Sequence, residues 1–263
     1  MDTLTTLSEE ILFIPNEAAP KRRGWSHWRV DRRVVAVVVT GLVAMLPLIM
    51  VVVNAVRESR REQCAVQLKR IGVAFQEYQK AHEHFPAPSL ASRDGRPLLS
   101  WRVALLPHLG YRSLYERFHL DEPWDSPHNR ALLVEMPPEF ACPGGPGRRA
   151  GQTGYLVVVG PITEPGNVNT PFEPTRGAET REFIDGTSNT ILVFETDALV
   201  PWTKPDDLRW ERDGPLPRLA SPHAGGANVL FADGMTRFLK PTIRPETLLA
   251  LLTINGNEVL SSA

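Results

Sequence analysis

The chain has 263 residues and a formal net charge of −1, with 29 Lys and Arg against 30 Asp and Glu. That balance provides neither the basic excess of a nucleic-acid binder nor the acidic run of a solvating tail. The two cysteines, Cys64 and Cys142, lie outside any Cys-x2-Cys pair, which argues against a thiolate zinc site.

Residues 1–33 read as an N-terminal tail, with a short apolar patch at 11–14 that Pro15 and Pro20 interrupt. Residues 34–53 contain no charge, and about 20 apolar residues suffice for a helix to cross the hydrocarbon core. A cleaved secretory signal has a shorter apolar core, about 7–15 residues, behind a short basic start. The 33-residue leader here therefore predicts a retained transmembrane anchor. A buried helix of a soluble protein would need a polar face for water, which this run lacks. Lys21, Arg22, Arg23, Arg29, Arg32 and Arg33 precede the run, and Arg57, Arg60 and Arg61 follow it. The heavier leading flank places the N-terminus in the cytoplasm and the rest outside.

From Asn54 to Glu83 there is no proline and one glycine, Gly72. Cys64, Leu68, Ile71, Phe75, Tyr78 and His82 recur at steps of three and four, which is one stripe of a helix. Glu62, Lys69, Gln76, Glu77 and Lys80 fall on the other face. The spanning helix is thus predicted to continue as an amphipathic stalk over 54–85, ended by Pro86 and Pro88.

Residues 86–263 form the extracytoplasmic domain. Short helices are predicted at 101–109 and 113–118, and another where Ser126 caps Pro127. The β-branched run 155–159 reads as a strand, and the turn Asp185-Gly186 leads into a second at 190–195. Asp233-Gly234 between 228–232 and 235–239 is a strong hairpin signal. Pro245 opens a last short helix through Leu252, and 258–260 reads as a closing strand. The predicted class is α+β: a long transmembrane-plus-stalk helix packed on an antiparallel sheet, with loop-rich insertions and short helices.

His223, nine residues and Asp233-Gly234 form a His-x9-Asp-Gly signature. With it stand Leu68-Lys69-Arg70-Ile71-Gly72, Ser100-Trp101-Arg102, Cys142-Pro143, Asp185-Gly186-Thr187-Ser188-Asn189-Thr190 and Asp207-Leu208. On these motifs, over about residues 54–263, the chain resembles bacterial prepilin-type proteins of unknown function that carry this C-terminal signature. The resemblance implies a pilin-like fold, similar to type IV pilins and the pseudopilins of type II secretion. It also implies association with other pilin-like subunits through the N-terminal helix. Lys21-Arg22-Arg23-Gly24-Trp25 imitates a prepilin start, but the fifth residue after Gly24 is Arg29 where that family has Glu.

Chemical readings of single residues are weighed against plainer ones. If 228–232 is a strand, His223 and Asp233 fall near its opposite ends, about 20 Å apart at 3.3 Å per residue. The favoured reading is structural: Asp233-Gly234 makes the turn and His223 fixes the loop before the strand. A Ser188–His223–Asp185 triad lacks a nucleophile elbow. His82 and His84 do not share a helical face, and read as solvated groups at the helix end. Glu164, Glu173, Asp197, Asp206, Asp207 and Asp213 could hold calcium through oxygen ligands, but without EF-hand spacing. Trp101, Trp124, Trp202 and Trp210 read as core and loop anchors. Outside the cytoplasm, Cys64 and Cys142 can join as a disulfide; the alternative is two separate buried side chains.

The reading is a non-enzymatic, single-pass protein of the inner (cytoplasmic) membrane with a structural or assembly role. Its expected partners are the membrane and pilin-like subunits, with no nucleic acid, no metal, no cofactor and no known small molecule. The rival is a tethered ligand-binding or hydrolytic module built on the loops around His223.

Overall fold

The apolar run and the stripe behind it fall in one helix, α1, Arg32–His82. The computed structural model describes residues 31–143, 151–161, 169–212 and 214–256. The closing strand predicted at 258–260 and the prepilin-like start at Lys21-Arg22-Arg23-Gly24-Trp25 lie outside them. Among the described residues, α1 is the one helix long and apolar enough to cross a membrane. Its most apolar window is not buried at all, which distinguishes it from the core helix of a soluble protein. The chain forms two compact units, and the first ends at Ile49.

In the second unit the stripe turns inward. Cys64, Leu68, Ile71, Ala74 and Phe75 are fully buried, Tyr78 is half-buried, and His82 returns to the surface. The helix stops at His82, short of the predicted 85. Glu83 caps it in the left-handed region, φ 68°, and its N–H reaches Gln79 O at 2.7 Å. Gln76 departs from the solvated face assigned to it: its amide nitrogen donates to Ala232 O.

A small hairpin follows, β1 (Ser89–Ala91) with β2 (Pro97–Ser100), unseen in the hydropathy pattern. Ser100 then caps α2 (Trp101–Ala104) by accepting from Arg102 N. Next come a 3-10 turn at Leu106–Leu109, α3 (Arg112–Tyr115) and α4 (Pro127–Ala131). Ser126 Oγ accepts from Asn129 N with Pro127 at the first position, the predicted cap.

The main sheet is built from β3 (Gln152–Val159), β4 (Phe172–Glu173), β5 (Arg176–Gly177), β6 (Ile191–Pro201), β7 (Leu208–Arg209), β8 (Ala227–Phe231) and β9 (Thr236–Leu239). Its order is β5-β4-β3-β6-β8-β9, with β7 also on β3. The central ladders β3–β6, β6–β8 and β8–β9 are antiparallel as predicted. The sheet is nonetheless mixed, because β4 and β7 both run parallel to the end of β3.

Alternate side chains of the sheet enter two cores. Tyr155, Val157, Leu230 and Ala232 pack with Leu68, Ile71 and Phe75 of the stalk. Val158, Phe194, Val229 and Phe231 pack on the other face against Leu248, Leu251 and Leu252 of α5 (Pro245–Leu252). Strand β8 is thus buried at every position, and all of its residues but Asn228 are apolar.

Candidate functional site

The tip of the β8–β9 hairpin is a junction of backbones. Gly234 takes φ 83°, a conformation a side chain would strain. Asp233 Oδ1 accepts from Met235 N at 2.9 Å, and Asp233 N donates to Thr187 O at 3.1 Å. Ala232 N donates to Thr190 O at 2.8 Å. The second turn is tied in as well: Asp185 N reaches Ile254 O at 3.0 Å, and Gly256 N reaches Asp185 Oδ2 at 2.7 Å. Asp185-Gly186 and Asp233-Gly234 therefore brace one end of the sheet, and the stalk meets them at Gly72. A Cβ there would lie 2.7 Å from Leu230 Cδ1 and 3.1 Å from Gly234 O.

His223 belongs to the other end of β8. Its loop turns into the strand through Gly225 and Gly226, at φ 91° and 157°. The imidazole is buried against Glu195, a carboxylate in the otherwise apolar buried stretch of β6. His223 Nε2 stands 3.1 Å from Glu195 Oε1 and 3.4 Å from Cys142 Sγ. Cys142 is joined to Cys64 of the stalk, with Cα atoms 5.4 Å apart. One donor atom from each of these four residues lies within 4.8 Å of the others.

The two oxygens of Glu195 are treated differently. Oε2 accepts from Asn228 Nδ2 at 3.0 Å, Asn228 N at 3.2 Å and Ser221 Oγ at 3.3 Å. Oε1 is buried, faces the cluster and receives no aligned hydrogen bond. Near it, burial raises the Tyr155 phenol well above its ordinary pKa, and the Glu195 charge adds to the effect. Such an arrangement can hold a proton between imidazole and carboxylate beside a sulfur pair, or present several lone pairs to one point. On its outer side, His223 lines a cleft with Arg57, Arg60 and Arg61 of the stalk.

The remaining predicted groups are placed elsewhere. Asp185 and Ser188 precede β6, at the end of that strand away from Glu195, so the imagined triad is not assembled. His82, His84 and His108 surround Tyr78, with ring centroids 4.2, 6.0 and 5.5 Å from its ring. The two stalk-end histidines are exposed, as read from the sequence, and their rings also group with Tyr78. Burial and then the neighbouring His82 hold the His108 pKa below its ordinary value.

The acids do not converge either. Glu173 pairs with Arg176, Asp206 with Lys204, and Asp207 with Arg102, while Glu164 and Asp213 lie outside the described residues. Arg102 is fully buried; it donates to Asp207 Oδ1 at 2.9 Å and to Tyr155 O at 2.7 Å. Burial pushes the Asp207 carboxyl up, against the opposing charge of Arg102. Trp101 and Trp202 are fully buried core residues, Trp210 nearly so, and Trp124 packs against the core edge.

Glu195, Asn228 and Ser221 escaped sequence reasoning. One signal pointed to Glu195: an ionisable residue inside an apolar strand must find partners when buried. In comparisons with known proteins, no curated protein and no solved structure matches the chain. A family model described as a protein of unknown function, DUF1559, matches residues 54–214, more than half of the chain and ending before His223.

Proposed function

We propose that this chain, which belongs to the DUF1559 family of proteins of unknown function, is a membrane-anchored, pilin-like structural or assembly protein rather than an enzyme. The observation that carries the reading is a change of character along α1. Side chains such as Leu42 and Leu48, each 61% exposed, are apolar with no protein to cover them. From Cys64 the same helix buries one stripe in a sheet domain. An apolar, exposed helical segment of this length suits lipid first and sister helices second. The basic flank before it favours a cytoplasmic N-terminus with the head outside. The signature Asp233-Gly234 supports the reading by its use as a turn.

A test is cross-linking in membranes through single cysteines placed at Leu42 or Leu48 in the Cys64→Ser, Cys142→Ser background. Ladders of cross-linked subunits or a stable co-purifying partner are expected. A monodisperse chain that forms no cross-links would sink the assembly role. Intact-mass measurement of the extracted protein is expected to show the leader still attached. A mass lacking residues 1–24 would show prepilin-type processing instead. The rival ligand-binding or hydrolytic reading draws on the arginine-lined cleft beside His223. It gains nothing from Asp233, whose contacts are at the opposite hairpin end. Loss of a binding or hydrolytic signal in His223→Ala, with assembly intact, would put that rival first.

A further inference from the structure

We propose that Cys64, Cys142, Glu195 and His223 form a zinc site when the disulfide is reduced, so that one cluster is held either by a sulfur–sulfur bond or by a metal ion. The four donors are two sulfurs, one imidazole nitrogen and one carboxylate oxygen, all within 4.8 Å of one another. Borderline-soft zinc accepts this mixed set in a tetrahedron. Zinc–ligand bonds of about 2.0–2.3 Å set donor–donor edges of about 3.3–3.8 Å. The nitrogen–oxygen separation is already 3.1 Å, and the nitrogen–sulfur separation is 3.4 Å. The two sulfurs must move apart, to about 3.7 Å on the same bond lengths, and the remaining separations start within 4.8 Å.

The independent sign of a ligand is Glu195 Oε1. It is a buried carboxylate oxygen, aimed at the cluster, that receives no aligned N–H or O–H and has the His223 Nε2 beside it at 3.1 Å. Its sister Oε2 accepts three, from Asn228 and Ser221, which fix the carboxylate plane. That is how an outer shell orients a metal-binding carboxylate. The loop backbone at His223 is held as well, because Ser221 Oγ accepts from the His223 main-chain N–H at 3.1 Å. Two thiolates and a carboxylate around zinc leave one negative charge, and Arg57, Arg60 and Arg61, the last paired with Glu58, line the cleft next to His223. The four ligands come from a helix, a loop, a strand and a second loop. A rule based on Cys-x2-Cys spacing cannot detect such a set.

The chemistry balances with a two-electron reductant. A dithiol gives two electrons and two protons to the protein disulfide, becomes a disulfide itself, and leaves two cysteine thiols. Zinc then displaces both thiol protons, while neutral His223 brings its Nε2 lone pair and Glu195 its ionised oxygen.

The experiment uses the full chain in detergent micelles. It is reduced with a water-soluble phosphine, which avoids a chelating dithiol and leaves as its oxide after taking oxygen from water. After anaerobic desalting and zinc addition, elemental analysis is expected to find one zinc per reduced chain and none per oxidised chain. Cobalt substitution should give intense tetrahedral visible bands with a thiolate charge-transfer band. Glu195→Gln and His223→Ala, each verified as folded in the oxidised form by circular dichroism, should weaken zinc binding by about 10-fold or more. X-ray absorption at the zinc edge of the parent should show two sulfurs and two nitrogen or oxygen neighbours. That readout needs no variant to fold. Failure of the reduced parent to hold one zinc would overturn the proposal. So would an edge spectrum without that mixed shell, or two folded variants that bind like the parent.

Discussion

At Gly72 the usual sign of a helix substitution reverses. Replacing an interior helical glycine by alanine normally stabilises by about 1 kcal/mol. Here the new methyl would meet Leu230 Cδ1, which can shift, and Gly234 O, which the hairpin backbone fixes. Gly72→Ala is therefore expected to destabilise by about 1–3 kcal/mol, read as a lower melting temperature. Gly234→Val should also melt lower, since φ 83° is closed to a β-branched side chain. His223→Ala should lose more than a neutral loop hydrogen bond. It leaves Glu195 Oε1, a buried oxygen, without the imidazole nitrogen that faces it at 3.1 Å, a loss of about 1–3 kcal/mol in denaturant unfolding of the oxidised chain. The glycine at the hairpin tip was legible from sequence, because only local backbone conformation was at stake. The partner of His223 was not, since Glu195 lies 28 residues away on a neighbouring strand.

Among the elements, the two-residue strands β4 and β5 depend on one cation. Arg176 pairs with Glu173 at 3.2 Å and with Glu182 at 2.8 Å. The hydrogen bond from Arg176 holds the Glu182 carboxyl below the ordinary carboxylate range, and the Glu179 backbone N–H adds to it. A depressed folded pKa means that the stabilisation is present above the unfolded value, about 4.3, and is lost as pH falls through the folded one. Glu182→Gln should therefore be less stable than the parent near pH 6, with the difference shrinking as pH falls below the unfolded carboxylate value and through the lower folded one. Solvent screening keeps that difference to about 1 kcal/mol or less, and paired melts across the pH range measure it. Long elements such as the stalk, the β8–β9 hairpin and α5 were visible in periodicity and turn residues. The strands β1, β4, β5 and β7 were not. They are two or three residues long, too short to show an alternating pattern: β1 and β5 pair with the next or preceding strand across a short turn, and β4 and β7 join the end of β3.

For the molecule as a whole, the Cys64–Cys142 bond joins the stalk to the loop before β3 across a sequence separation of 78. Closing a loop of that size removes unfolded-state entropy worth about 4 kcal/mol. Reduction in the presence of a metal chelator should lower the unfolding free energy by about that amount, and reoxidation should restore it. The α+β class and the helix-on-sheet arrangement were readable because the apolar run, the amphipathic stripe and the turns each follow a period. The cover of α5 on the second sheet face was not, since a short apolar helix does not declare which surface it meets. The four-residue cluster was the least readable feature: its members are brought together by tertiary structure alone.

Cys64 is also the first fully buried residue of α1, and this makes the cross-link a mechanical shunt. Tension arriving along the helix from an anchored end enters the folded unit at residue 64. There the sulfur–sulfur bond passes it directly to residue 142 and so to β3, and the intervening segment carries no load. The small hairpin, α2, α3, α4 and the buried Arg102 all lie in that stretch. Pulled between its two ends, the oxidised chain should extend on unfolding by about 260 Å less than the reduced one, the reach of the 78-residue separation at 3.3–3.6 Å per residue. Single-molecule stretching with and without reductant measures that difference. The covalent loop of residues 64–142 would then stay out of the load path while the rest of the second unit yields.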